Sequence, residues 1–155
     1  MAVLNAAWWA IFMMLGLLVQ TWLPGTDVLL IGLIIVLQEG RRVQTFWIFL
    51  IVILLQEGTG TLAFGSSILS YTMVVLIFHL GRALLEQENI LFVLLVSISA
   101  GVGHYVFTQA VGSLQGLTLP HARLMMESLT QMLLLPPLWF FTVALRDKMV
   151  PHAQN

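Results

Sequence analysis

The chain has 155 residues, of which 59% are hydrophobic and only 8% charged, with a formal net charge of −1. A soluble domain is about 25% charged, so this chain has too few polar side chains to coat a water-facing surface, and lipid is the solvent its composition suits. The scattered basic residues exclude a nucleic-acid surface, which needs a basic patch to displace phosphate counterions. The absence of cysteine excludes a disulfide frame, a thiolate nucleophile and a cysteine metal site.

A helix needs about 20 apolar residues to cross the hydrocarbon, so this length allows six crossings joined by short loops. The apolar start, Met1 to Val19, has no basic leader region and reads as a retained helix rather than a cleaved signal. The first helix is expected over Leu4 to Leu23, with Trp8, Trp9 and Trp22 near its ends, where aromatic belts form. Pro24-Gly25-Thr26-Asp27 breaks it. A second helix runs from Val28 to Gln38, before the polar turn Glu39-Gly40-Arg41-Arg42. A third covers Val43 to Leu55 and ends at Gln56-Glu57-Gly58-Thr59-Gly60. The fourth spans Ser66 to Leu80, followed by Arg82 and Glu86-Gln87-Glu88-Asn89. The fifth runs from Ile90 to Val111, and a glycine-bearing segment with Pro120 leads to a sixth over Met126 to Leu145. Arg146-Asp147-Lys148 reads as a polar tail.

The second and third helices are short for a bilayer, so their ends must reach the interface or be sheltered by neighbours. A re-entrant hairpin is the rival, but it would hold Arg41 and Arg42 inside hydrocarbon at several kcal/mol per charge. With the N-terminus cytoplasmic, inside segments carry Arg41, Arg42, Arg82, Arg146 and Lys148, and outside segments carry only Arg123. That asymmetry favours six crossings with both termini inside. Leu37-Gln38-Glu39-Gly40 returns as Leu55-Gln56-Glu57-Gly58, too brief an echo to establish a repeat.

Glu57, followed by Gly58, Gly60 and Gly65, is either a carboxylate held by backbone N–H groups at the start of the fourth helix or a solvated loop acid. Glu39, beside two arginines in a turn, is expected to be solvated. His79 and His104 are the ionisable residues expected at membrane depth, where such groups are functional candidates or simply hydrogen-bond a neighbouring helix. Ser97, Ser99, Ala100, Gly101 and Gly103 crowd small residues onto the fifth helix, which allows close helix approach in lipid, either as a face for a partner or, the favoured reading, as packing within the chain. No ligand spacing for a metal appears. Gly65-Ser66-Ser67 is not a nucleophile elbow, and no base or paired acid accompanies the serines or the loop acids Glu86 and Glu88. No cofactor is expected and catalysis is not.

A first helix ending in Leu-Pro is followed by an acid opening an apolar run (Asp27-Val28-Leu29-Leu30) and a turn with glycine and arginine. Next comes the stretch Leu54-Leu55-Gln56-Glu57-Gly58-Thr59-Gly60-Thr61-Leu62-Ala63-Phe64-Gly65, continuing through Leu69-Ser70-Tyr71. The order of these features resembles MreD, the rod-shape-determining membrane protein family of bacteria. Two departures stand out. Pro24-Gly25-Thr26-Asp27 replaces the usual Arg/Lys-Pro-Asp, and Glu57 stands where the family usually has Asp. The resemblance implies an all-α membrane fold like that of the substrate-binding S-components of energy-coupling-factor transporters. It also implies a non-enzymatic scaffold acting with MreC in lateral wall synthesis guided by the actin-like MreB. An S-component-like carrier is the alternative, for which Glu57, His104, Tyr105 and Trp139 are the available polar and aromatic groups. A membrane enzyme comes third.

Overall fold

The computed structural model describes residues 2–23, 26–58, 64–86 and 89–150, and among these every regular element is a helix. Six follow in order: α1 (Ala2–Trp22), α2 (Val28–Glu39), α3 (Arg42–Gly58), α4 (Ser66–Gly81), α5 (Ile90–Leu114) and α6 (His121–Met149). Three of them, α1, α5 and α6, are long and apolar enough to cross a membrane. Local signals set several boundaries. Asp27 and Asn89 cap α2 and α5 by accepting hydrogen bonds from the Leu30 N–H (3.1 Å) and the Leu91 N–H (2.9 Å), as short polar side chains do at N-caps. Gly40 ends α2 in the left-handed region at φ 68°, which costs a residue without Cβ nothing.

The centre of the bundle is the shortest helix. Twelve residues give α2 a length of roughly 18 Å, well under the ~30 Å hydrocarbon thickness. Leu29 through Leu37 are all buried, because α1, α3, α4 and α6 pack around them. An all-round apolar helix belongs in such a position. Of the two ways a short helix can be accommodated, α2 therefore uses shelter by neighbours.

Polar residues assigned to loops are helical at the end of the third helix and at both ends of the sixth. The third helix does not stop at Leu55 but carries Gln56, Glu57 and Gly58, and the sixth begins at His121 and continues through Arg146 and Lys148. Apolar runs mark where a helix meets hydrocarbon, whereas glutamate, glutamine, arginine and lysine sustain a helix well beyond it. Pro136 and Pro137 lie inside α6, where each removes a backbone donor; neighbouring helices make that tolerable in lipid.

Close approach of α5 to its neighbours depends on glycine. A Cβ at Gly101 would meet the Met132 side chain and, at 2.8 Å, the Ser128 carbonyl oxygen of α6. At Gly103 it would meet the Met73 side chain of α4. Phe78 of α4 and Phe92 of α5 stack edge to face, with centroids 5.1 Å apart. The helices alternate in direction. The start of α1 and the end of α6 thus share one end of the bundle, called here the terminal end. The α1–α2, α3–α4 and α5–α6 connections lie at the other, distal end.

Candidate functional site

Polar side chains gather at both ends of the bundle. At the terminal end the centre is Arg146, only 3% exposed. Its guanidinium pairs with the Glu39 carboxylate and donates from Nη2 to Asn5 Oδ1 at 2.9 Å. Its Cζ also lies 4.7 Å and 5.8 Å from the ring centroids of Trp9 and Trp8, within cation–π range. Gln44 Nε2 donates to the other Glu39 oxygen (3.3 Å), and Trp139 Nε1 donates to Gln38 (3.0 Å). One knot thus joins α1, α2, α3 and α6.

This knot corrects three expectations. Glu39 is not a solvated turn acid: it is the partly buried partner of Arg146. Arg146 is not part of a polar tail, since it points inward from a helix. Trp8 and Trp9 do not form a lipid-facing belt, because they are buried under that guanidinium, while Trp22 is exposed. The physical cause is common to all three. A buried charge is tolerated only when paired and hydrogen-bonded, and the partners come from residues more than 100 positions away in sequence.

At the distal end, Glu57 reaches from the end of α3 to the start of α4. Its two oxygens accept from the Gly65 N–H (2.8 Å) and the Ser67 N–H (3.1 Å). Free N–H groups at a helix start favour an anion. Gly58 ends α3 and is exposed, Gly65 stands before α4 at φ 94°, and Gly60 lies outside the described residues.

Next to this junction Asp27 collects a second set of bonds. Its carboxylate accepts from Tyr71 Oη of α4 and, at 3.0 Å, from Gln20 Nε2 of α1, besides capping α2. Asp27, Tyr71, Ser67, Ser70, His104 and Gln131 line a cavity of only about 10 Å3, the room of one water molecule. His104 Nε2 also lies 3.6 Å from Glu127 of α6, which accepts from Arg123 Nε at 2.8 Å. Asp27 was visible in the sequence as an acid opening an apolar run, the mark of an N-cap. Its bond to Tyr71, 44 residues later, had no local signal.

The residues singled out from the sequence are thus spread over the bundle rather than gathered at one site. Glu57, Gly58 and Gly65 belong to the α3–α4 junction, while Gly101 and Gly103 are packing positions on α5. Of Glu57, His104, Tyr105 and Trp139, only His104 lines the cavity. Tyr105 pairs with His121 at 3.5 Å, and Trp139 belongs to the knot at the opposite end. Among the described residues, no three His, Asp or Glu side chains converge as a metal site would require. Comparison of the chain with family models, with curated proteins and with solved structures yields no match.

Proposed function

We propose that this chain is a non-enzymatic scaffold of the bacterial inner membrane, of the MreD kind, that holds MreC and wall-synthesis enzymes together during rod-shaped growth. The observation that carries this reading is how the polar side chains are used. At both ends they tie helices to one another, and at the distal end they close on a space of about 10 Å3. A small-molecule site typically offers 300–1,000 Å3. A carrier would need such a volume around His104, where the cavity has room for one water, and the larger open groove at the terminal end is lined by none of Glu57, His104, Tyr105 and Trp139. A scaffold needs only stiff helices with outward faces, such as Ile11, Met14, Leu15 and Leu18 on α1 and Leu133, Phe140 and Phe141 on α6, all exposed. The MreD-like order of motifs supplies the identity of the partners.

The test is recovery of partners from detergent-solubilised membranes. The tagged chain should bring down MreC or wall-synthesis enzymes, and cells deprived of the chain should lose rod shape while staying intact. A purified monomer that binds a vitamin-sized ligand at nanomolar affinity, with binding abolished by changing His104 or Trp139, would overturn the scaffold reading in favour of a carrier.

A further inference from the structure

A groove of about 480 Å3 opens at the terminal end, where α2, α3 and α4 meet. We propose that it binds the headgroup of an anionic phospholipid from the surrounding bilayer, with the lipid's upper acyl chains lying along α3 and α4. The inference rests on the membrane reading of the chain and is independent of the scaffold role.

Charge gives the first reason. The groove is lined by Arg42, the first residue of α3, by Arg82, the C-cap of α4, and by His79 in the last turn of α4. No carboxylate lines it among the described residues. Neither arginine has an ion-pair partner among them; Glu39, the acid nearest Arg42 in sequence, is held by Arg146 and Gln44 instead. An unneutralised pair of guanidinium groups suits a phosphate, to which arginine can donate two parallel hydrogen bonds.

The gradient of polarity along the groove gives the second. Phe46 and Phe49 of α3 also line it, one and two turns further along the helix from Arg42. The wall therefore changes from cationic to aromatic over roughly 10 Å of helix. A soluble anion would leave the aromatic part uncovered, and a neutral lipid would leave the arginines unpaired. An acidic phospholipid matches both parts. The position agrees as well: five of the six basic residues lie at this end, and basic residues next to a membrane attract acidic lipid at about 1 kcal/mol each, or roughly five-fold in affinity.

The experiment is native mass spectrometry of the full chain, purified in a neutral detergent and titrated with phosphatidylglycerol or phosphatidylcholine. The parent should retain phosphatidylglycerol in preference to phosphatidylcholine. Arg42→Gln and Arg82→Gln should each weaken that retention about five-fold, and the double variant on the order of 25-fold. Arg123→Gln, at the opposite end, should leave it unchanged. Equal retention by the parent and the double variant would overturn the proposal. So would equal uptake of both lipids by the parent, or displacement of phosphatidylglycerol by inorganic phosphate at matched concentration, which would mark a site for soluble anions. These last two measurements use the parent alone and decide the matter even if the double variant does not fold.

Discussion

Arg146 is the residue whose loss should be felt most. Removing one partner of a buried pair leaves the other charge unmatched and costs about 3–5 kcal/mol. Arg146→Ala should therefore destabilise the bundle by that order in a denaturing-detergent titration, with Glu39 stranded beside Gln44. Arg146→Met combined with Glu39→Gln should recover much of the loss, because apolar or neutral replacements of similar volume remove both charges together. A double variant no more stable than Arg146→Ala would show that the pair is not the source of the cost. The glycines of α5 allow a sharper contrast. Alanine at Gly101 is driven against the Ser128 backbone oxygen, which cannot yield without moving α6, whereas at Gly103 it meets the flexible end of Met73. Gly101→Ala should thus lower thermal stability in detergent more than Gly103→Ala, and Gly101→Leu should cost on the order of 1–3 kcal/mol by overpacking. Equal effects would mean that α6 gives way as easily as a methionine tip.

Among the elements, the α3–α4 junction and α2 depend on carboxylates at helix starts. Glu57 satisfies two N–H groups at the beginning of α4 from eight and ten residues upstream. Glu57→Ala should cost about 1 kcal/mol, the usual scale for a lost N-terminal cap. It should also speed amide hydrogen exchange over Ser66–Ser70 while leaving α6 unaffected. Unchanged exchange there would mean that the carboxylate does not hold the junction. The sequence leaves Glu57 open between a capping and a solvated acid, because a carboxylate next to glycines shows no depth or direction by itself. Its echo, Glu39, occupies the same position in Leu-Gln-Glu-Gly at the opposite end and takes an arginine instead. Identical local residues thus acquire different roles from what packs against them.

At the scale of the molecule, the alternating helices put Arg41, Arg42, Arg82, Arg146 and Lys148 at one end and Arg123 at the other. The positive-inside tendency predicts that the terminal end faces the cytoplasm and that the chain crosses six times. Cysteines at Arg42 and Lys148 should then resist an impermeant thiol reagent in intact cells, while one at Thr118, in the α5–α6 connection, should react. Labelling at Arg42 with protection at Lys148 would sink the six-crossing arrangement. The shortness of α2 does not count against it, because that helix is enclosed by four others and its ends need not meet lipid.

Composition and apolar runs alone determined an all-helical chain with segments apolar enough to cross a membrane, and most of the helix cores, because hydrocarbon suits long apolar segments whatever their order. Glycine, proline and the acids Asp27 and Glu57 marked the breaks, since turn and cap chemistry is local. Only the tertiary structure decided that the shortest helix is the central one, that Glu39 and Arg146 meet under Trp8 and Trp9, and that Tyr71 and Gln20 converge on Asp27. It alone placed Arg42 and Arg82 on one groove that no carboxylate lines among the described residues. A polar residue in a membrane bundle must find a partner across helices. The identity of that partner follows from the packing of segments far apart in the chain, which no local pattern encodes.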